Sequence, residues 1–402
     1  MTPGTFAGDT GPTAAVSAGS LAGSRFASLR RAIRAAVVSV CAGVAGGQSP
    51  AAPFDWDALP NNTWVRLSTT GAVPVKNFHA GMTIDSDGDV LLLFGSESHE
   101  LASNYDNSVR RLDLSSLVWS QDYPPDPITT YTRTATGILR TTSGRPWGDH
   151  AFDAVDYVPP LRKMAVAQWP EHAFLLKKVL RGARAATWLY DPDAKRWQVL
   201  ATSSPKVGTT VYDPDTRQLV GYDGRNTYVL STRSLEWRSY TLAGGPSGYH
   251  LSMAYDSVLK KVLAYGDQDA GNQLYALDVA RLQWRKIDTA LHPPGAAGAA
   301  IVYSRRAKAL LLLAPAPGVP AYSNTVGTSE TWAFHSLTGD WRKLSLASPP
   351  VFGMNYHRVY DEKRNVFLYA ERAEAGAAEG APLTMWALRY VPDGLANGVA
   401  KP

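Results

Sequence analysis

Residues 255–284 read YDSVLKKVLAYGDQDAGNQLYALDVARLQW, and this stretch decides the fold. It contains two hairpin patterns. The first is Tyr255-Asp256 followed by an apolar run at 262–265, and the second is Leu277-Asp278 with Trp284 six residues after the Asp. Two hairpins mean four short strands, because polar turn residues interrupt each run. A four-stranded unit of this length predicts one blade of a β-propeller.

The same pattern recurs along the chain. The second hairpin keeps its Trp at a constant distance in five copies, at Leu112-Asp113 with Trp119, Tyr190-Asp191 with Trp197, Leu230-Ser231 with Trp237, Leu277-Asp278 with Trp284, and Phe334-His335 with Trp341. The first hairpin occurs six times, at Ile84-Asp85, Asp156-Tyr157, Tyr212-Asp213, Tyr255-Asp256, Tyr303-Ser304 and Tyr360-Asp361. One such sheet cannot bury both of its apolar faces alone, so we expect the units to pack radially with a Trp between neighbours.

The two hairpin counts differ by one, and the N-terminal part of the chain explains the difference. Residues 62–67, Asn-Thr-Trp-Val-Arg-Leu, have the pattern of a last strand with no hairpin before them. Adding this strand to the last unit completes it and removes a free sheet edge. We therefore predict an all-β, six-bladed propeller with four antiparallel strands per blade, whose ring is closed by an N-terminal strand in the last blade.

The Tyr-Asp and later Trp elements resemble Kelch repeats, such as those in the propeller domain of galactose oxidase, over about residues 60–391. The double glycine of that family is degenerate here, as in Phe94-Gly95-Ser96 and Tyr265-Gly266-Asp267. The resemblance is therefore to the superfamily. It implies the fold and not the copper-radical chemistry, which needs a Tyr crosslinked to a Cys, because the one cysteine of this chain is Cys41 in the leader.

The first fifty residues differ in kind from the rest. Four arginines (Arg25, Arg30, Arg31, Arg34) precede a short apolar run at 35–45, which is the pattern of a secretory signal. We predict an extension plus signal peptide at 1–50, a propeller at 51–394 and a C-terminal tail at 395–402. The protein would then be periplasmic or extracellular; the alternative is a basic tail on a cytosolic protein. Lipoprotein anchoring at Cys41 is disfavoured because Val40 is larger than the residue expected there.

The charge of the chain says little about nucleic acid. The formal net charge is +5, and the leader, with four Arg and one Asp, supplies most of it. The body is nearly neutral, so no nucleic-acid partner is predicted. No apolar run in the body is long enough to span a bilayer. We expect a monomer whose partner is a glycan or an extracellular protein.

The long connections fall on one face of the predicted disc. In each blade the innermost strand, a, starts at this face and strand b returns to it, so the loops between blades and the b–c loops share it. The long segments are 96–108, 124–146, 170–185, 315–329 and 371–382. Elaborated loops on a rigid scaffold are where binding and catalysis concentrate. We call this side the loop-rich face.

Three histidines are predicted at equivalent positions of strand a. Stepping back six residues from the turn position of each first hairpin gives His79, His150, Val207, His250, Gly298 and Asn355. His79, His150, His250 and Asn355 converging on the axis predict a site for one divalent metal ion, Zn, Mn, Fe, Cu or Ca. A metal-free catalytic base is one alternative, and histidines that line a wet channel are another.

Further candidates surround this predicted site. The predicted catalytic residues are His150, His250, Tyr249 and Arg145. The predicted substrate-binding residues are Trp147, Trp169, Asp223, Arg225, Asp267, Arg358, Glu371 and Arg372. Aromatic faces beside arginines and carboxylates suit a carbohydrate, particularly an acidic one. For Trp147 and Tyr249, packing in the interior is an equal alternative.

Two functions follow from these candidates. The first is an exported recognition module that binds a glycan or a protein through the loop-rich face. The second is a metal-assisted lyase or hydrolase acting on an acidic polysaccharide. In the lyase, arginine or metal would neutralise a uronate carboxylate while histidine or Tyr249 removed the α-proton.

Overall fold

The structure, a computed structural model, describes residues 53–75, 80–95, 105–148, 150–167, 173–200, 203–248, 250–266, 272–320, 327–353, 357–371 and 381–392. The chain divides into two units, Met1–Ser49 and Pro50–Pro402, and every described residue belongs to the second. The leader at 1–50 and the tail at 395–402 lie outside the described residues. Their interpretation stays a prediction.

The described residues form six four-stranded antiparallel sheets around a ring, as predicted. In chain order the strands are β1 (Trp64–Leu67) and β2 (Thr70–Gly71); β3 (Gly81–Asp85), β4 (Val90–Phe94), β5 (Val109–Asp113) and β6 (Val118–Gln121) in blade 1; β7 (Tyr131–Arg133) and β8 (Leu139–Thr141) in an extra hairpin; β9 (Val155–Val158), β10 (Lys163–Val166), β11 (Trp188–Asp191) and β12 (Arg196–Val199) in blade 2; β13 (Thr209–Asp213), β14 (Gln218–Tyr222), β15 (Thr227–Ser231) and β16 (Trp237–Tyr240) in blade 3; β17 (Ser252–Asp256), β18 (Lys261–Tyr265), β19 (Leu274–Asp278) and β20 (Gln283–Ile287) in blade 4; β21 (Ala300–Ser304), β22 (Ala309–Pro315), β23 (Ser329–His335) and β24 (Asp340–Leu344) in blade 5; and β25 (Arg358–Asp361), β26 (Val366–Glu371) and β27 (Thr384–Leu388) in blade 6.

Among the described residues, four short helical segments accompany the strands. They are 3-10 helices at Ile128–Thr130, Pro159–Leu161 and Phe174–Leu176, and the one-turn helix α1 at Lys177–Leu180. The short strand β2 adds to blade 1 by pairing in parallel with β6.

The innermost strands close the ring. Each of β3, β9, β13, β17, β21 and β25 packs against the next, and β25 packs against β3. Apolar clusters fill the gaps between neighbouring blades. Strand β4 shows how one run serves two gaps, because Leu91 and Leu93 face blade 6 while Leu92 and Phe94 face blade 2. A strand buried on both faces reads as a continuous apolar run, as the second strand of each blade does.

The repeated Trp residues link neighbouring blades. Trp284 of blade 4 donates its indole N–H to Thr227 Oγ1 of blade 3 at 2.9 Å, and Trp64 of blade 6 donates to Thr331 Oγ1 of blade 5 at the same distance. A buried indole N–H needs an acceptor, and the facing Thr supplies one at the start of the neighbour's third strand. The Trp therefore works as a wedge between blades, as predicted.

The N-terminal strand closes the last blade. Strand β1 pairs antiparallel with β27, from Trp64 opposite Leu388 to Leu67 opposite Met385. Asn62 extends this junction, because its amide donates to Val391 O at 2.8 Å and its Oδ1 accepts from Val391 N at 2.9 Å. The predicted closure is confirmed.

The first hairpin of blade 2 corrects one predicted register. In the other blades the turn residue pairs with the residue five positions later, as in Asp256 with Lys261. In blade 2 this pair is Val158 with Lys163, so Val158 and not Asp156 holds the turn position. Elsewhere the turn Asp accepts from the N–H two residues on, whereas here that residue is Pro160, which has no N–H to donate.

Candidate functional site

The loop-rich face carries a cap built from three separate connections. Tyr105 of the blade 1 b–c loop, Tyr131 and Trp147 of the segment leading into blade 2, and Ala173 of the blade 2 b–c loop form one buried apolar cluster. Trp147 is 1% exposed, and its indole N–H donates to the carbonyls of Thr132 and Arg140. Its ring therefore packs inside this cap, which we name the blade 2 cap, and its predicted substrate-binding role stays a prediction.

Arg145 belongs to the same cap. Its guanidinium lies 4.0 Å above the Tyr123 ring, and its Nη1 pairs with Asp126 Oδ1 at 3.2 Å. Asp126 also accepts from Asn107, Thr141 and Ser143. These contacts hold the cap together and fix the Arg145 guanidinium between Tyr123 and Asp126.

An ion pair spans the axial opening near the loop-rich face. Arg358, the first residue of β25, donates from both terminal nitrogens to the two carboxylate oxygens of Asp153, which precedes β9. Asp153 Oδ2 also accepts from Thr209 Oγ1 of blade 3 at 2.7 Å and from Met253 N of blade 4 at 3.3 Å. A carboxylate that reaches the innermost strands of blades 3, 4 and 6 must lie near the axis.

This ion pair is buried, with Arg358 5% and Asp153 7% exposed. Two charges leave water at a considerable cost, which close bidentate geometry and further donors offset. Arg358 was predicted to bind substrate, which stays a prediction; in the structure its guanidinium pairs with Asp153. The axial opening consequently has a charged floor close to the loop-rich face.

Two of the predicted histidines lie beside this floor. His150 and His250 are 2% and 3% exposed. The Phe152 ring contacts both imidazoles edge-on, with centroids 5.2 Å from His150 and 6.2 Å from His250. Phe152 has φ of +47°, in the left-handed region that bulky residues rarely adopt. Strained residues of this kind cluster at functional sites.

The corrected register changes which residues are equivalent. With Val158 at the turn position, six residues back is Phe152 and not His150. The prediction that His150 matches His79 and His250 in position is therefore wrong, although His150 still lies next to His250 through Phe152. The recurring Tyr before the turn residue, here Tyr157, is the sequence signal that would have given this alignment.

The sequence pattern assigns Asp156 to a turn and does not predict its place on the innermost strand. Asp156 lies within β9, and its Oδ2 accepts from Tyr212 N of blade 3 at 2.5 Å. Burial by the surrounding strands and the nearby Asp153 charge raise the pKa of Asp156 to about 8, while Arg358 acts in the opposite direction. An ionisable group with so shifted a pKa in a channel is a functional candidate.

Three more of the predicted residues, Asp223, Arg225 and Glu371, are described. Asp223 closes its own loop, because it accepts from the backbone of Arg225 and Asn226 and from the Tyr228 hydroxyl. The Arg225 side chain is exposed on the blade 3 b–c loop. Glu371 accepts from the Trp386 indole at 2.7 Å. The other candidates, His79, Trp169, Tyr249, Asp267, Asn355 and Arg372, lie outside the described residues.

Two of the four predicted metal ligands, His79 and Asn355, lie outside the described residues. In the part of the chain that the structure describes, no three His, Cys, Asp or Glu side chains are grouped so that they could hold a metal ion. His150 and His250 supply two imidazoles, and a catalytic zinc site uses three protein ligands. With His79 and Asn355 undescribed, the divalent metal stays a prediction.

Comparison with known proteins found similar solved structures at low sequence identity. No protein-family model matches the chain, and no curated protein matches it in sequence. Among solved structures the chain is similar to YjhT, with 14% identity, coverage of 80% of this chain and 97% of that one, and a TM-score of 0.49. It is also similar to a fungal alcohol oxidase of the AA5 family in complex with copper (15% identity, 81% and 65% coverage, TM-score 0.49).

A third similar structure is a protein of unknown function from Bacteroides thetaiotaomicron (12% identity, 81% and 72% coverage, TM-score 0.47). At these identities the likeness concerns the fold alone. Membership of the Kelch family stays a prediction. Across the described ranges, no helix has the length and hydropathy needed to cross a membrane.

Proposed function

We propose that this protein is an exported recognition module that binds a glycan on its loop-rich face. The observation that carries the proposal is where the extra structure lies. The hairpin β7–β8 and helix α1 both belong to connections on this face, whereas the described turns on the opposite face are short hairpin turns. Binding surfaces are commonly built from such loops on a rigid scaffold.

The floor across the axis supports a concave site. The Arg358–Asp153 pair lies at the loop-rich end of the innermost strands. An opening with a floor can enclose one end of a ligand, as small-molecule and sugar sites usually do. Polar groups at the floor also favour a hydroxyl-rich ligand.

The distribution of exposed apolar residues favours a glycan over a protein. Among the described residues, the large apolar side chains that are exposed are Val75, Leu175, Leu291 and Leu337. They belong to different blades or connections and form no continuous patch. Protein interfaces bury a contiguous core of large side chains, which this surface does not offer in the part described.

The test is a glycan binding screen followed by titration of the best binder. Arg225→Ala, on the loop-rich face of blade 3, should raise Kd at least tenfold, or about 1.4 kcal/mol. Arg233→Ala, an exposed arginine on the opposite face of the same blade, is the matched control and should leave Kd unchanged. Absence of saturable binding to any glycan, or equal losses in both variants, would refute the proposal.

Phe152 favours a second candidate, a lyase or hydrolase acting on an acidic polysaccharide. Phe152 has a strained, left-handed backbone, and its ring lies against His150 and His250 beside the buried ion pair. Such strain at a cluster of ionisable groups is typical of catalytic sites. If this function holds, His150→Ala and His250→Ala abolish the release of unsaturated or reducing sugar ends while thermal unfolding stays cooperative; an unchanged rate excludes both as catalytic residues.

A further inference from the structure

The blade 2 cap carries a concentration of positive charge. Besides Arg140 of β8, five cationic side chains on its hairpin and helical segment are exposed, namely Arg133, Lys177, Lys178, Arg181 and Arg184. We name these five residues the basic surface of the cap. Four of them lie within eight residues of chain, on and just after helix α1.

Hydrogen bonds between the two segments bring these charges together. Arg133, at the end of β7, donates from its guanidinium to Arg181 O. The guanidinium also passes close to Gly182, where an added Cβ would lie 2.6 Å from its Nη1. Arg184 N donates to Gly137 O of the β7–β8 turn at 2.9 Å. Lys177 and Arg181 are one helical turn apart and share a face.

The described segments that carry the basic surface contain no acidic residue of their own. Residues 127–147 and 173–190 contain no Asp or Glu. Some described surface cations elsewhere are paired, as in Lys260 with Asp215 and Lys163 with Asp191. None of the five residues of the basic surface forms an ion pair with a described carboxylate. Clustered like charges repel one another, and a bound polyanion would relieve that repulsion.

We propose that the basic surface of the blade 2 cap binds a linear acidic polysaccharide. This inference rests on the proposed glycan recognition and names the ligand class and the surface. Three of the five cations are arginines, whose guanidinium forks match carboxylate and sulfate groups bidentately. Successive charged groups along one polysaccharide chain can engage several of them at once.

The same surface suits nucleic acid and bilayers less well. Single-stranded nucleic acid binds through bases stacked on exposed rings, and the cap buries Tyr131 and Trp147. A membrane-binding helix presents a broad apolar face, whereas the large exposed apolar residue described in the cap is Leu175. The surface is charged and polar rather than amphipathic.

The test measures binding of polygalacturonate and heparin by calorimetry at two salt concentrations, with dextran as a neutral polymer. The double variant Lys177→Glu with Arg181→Glu should weaken polyanion binding at least tenfold and make its salt dependence shallower. Arg233→Glu with Arg238→Glu changes the net charge equally at exposed sites of blade 3 and should have little effect. Lys177→Gln with Arg181→Gln provides a gentler variant, and thermal unfolding confirms that each protein is folded.

The other outcomes separate the two proposals. Equal binding by all variants would overturn the basic surface as the site. Equal or tighter binding of duplex DNA or of phosphatidylserine vesicles at the same salt would overturn the polysaccharide as the ligand class. Binding of neutral glycans alone, lost in Arg225→Ala, would overturn this inference and leave the proposed function standing, whereas absence of any glycan binding would overturn both.

Discussion

Two carboxylates near the axis, three residues apart, have different partners. Asp153 is paired with the Arg358 guanidinium and accepts further donors from blades 3 and 4. Asp156 accepts the backbone N–H of Tyr212 and lies close to the charge of Asp153. Enclosure by the strands then favours its neutral form. Asp153 therefore takes part in a buried ion pair, whereas the carboxyl of Asp156 holds its proton near neutral pH.

Asp156→Asn is predicted to change how stability depends on pH. The folded protein keeps the Asp156 proton up to about pH 8, whereas the unfolded chain releases it near the ordinary carboxyl value. This stabilising contribution is complete below the unfolded pKa and is lost as pH rises through the folded one, by up to about 1.4 kcal/mol per pH unit. Between pH 5 and 8, urea unfolding should show the wild type losing stability relative to the Asn variant.

A second substitution separates titration from hydrogen bonding. Asp156→Ala removes both the proton and the acceptor for Tyr212 N, so it should be less stable than Asp156→Asn at every pH by about 1–3 kcal/mol. Its pH profile should nevertheless run parallel to that of the Asn variant. Parallel profiles for wild type and both variants would contradict the raised pKa.

At the scale of elements, one turn design repeats around the ring. An Asp at the first position accepts backbone N–H groups two and three residues on, as Asp85, Asp213 and Asp256 do. The residue just before the next strand has a left-handed backbone, for example Arg217 with φ of +54° and Lys260 with φ of +53°. This combination matches a type I turn followed by a left-handed residue.

This repeated turn is why the hairpins were predictable from sequence. The Asp and the apolar runs recur because the same backbone needs the same acceptor each time. Blade 2 departs from the pattern because Pro159 and Pro160 form a 3-10 turn, and Pro160 lacks the N–H that the Asp would cap. The predicted register of blade 2 was aligned on its Asp and not on the recurring Tyr, here Tyr157. His150 was therefore assigned the position that Phe152 occupies.

Arg217→Gly is predicted to stabilise the protein. A side chain with Cβ in the left-handed region costs about 1–2 kcal/mol, part of which glycine recovers after its own loss of chain entropy. Arg217 is exposed and its side chain forms no described ion pair, so little else is lost. We expect a gain of up to about 1 kcal/mol in guanidinium unfolding. Arg217→Ala keeps the Cβ and should give no gain; a glycine variant no more stable than the alanine variant would contradict the prediction.

At the scale of the whole molecule, the ring and its contents differ in how far the sequence predicts them. Blade number and closure follow from counting repeats, because each blade buries its faces against the next. The Arg358–Asp153 pair joins residues 205 positions apart, and no repeat encodes it. The cap is likewise unrepeated, since Trp147 and Arg145 are fixed by contacts within an insertion that has no counterpart in other blades.

Closure also depends on the segment that leads into β1. Trp56 donates its indole N–H to Leu114 O of blade 1 at 2.6 Å, and Arg389 after β27 donates to the carbonyls of Trp56 and Leu59. Beside these contacts the Arg364 guanidinium of blade 6 lies over the Trp56 ring and pairs with Asp89 of blade 1, which lowers the pKa of Asp89 to about 2. Several contacts therefore secure the junction of the first and last blades.

A truncation series should reveal these contacts in order. Loss of residues 1–50 should leave the unfolding midpoint unchanged, because the described contacts begin later. Loss of residues 1–60 removes Trp56 and its contacts and should lower stability by about 3–5 kcal/mol, as removal of a buried Trp does, while β1 still completes the last blade. Loss of residues 1–68 removes β1, exposes the edge of β27 and opens the ring, so we expect no cooperative unfolding transition by calorimetry. Supplying a peptide of residues 53–70 to that last variant should restore the transition, and a cooperative, peptide-independent transition in it would show that the ring does not need its donated strand.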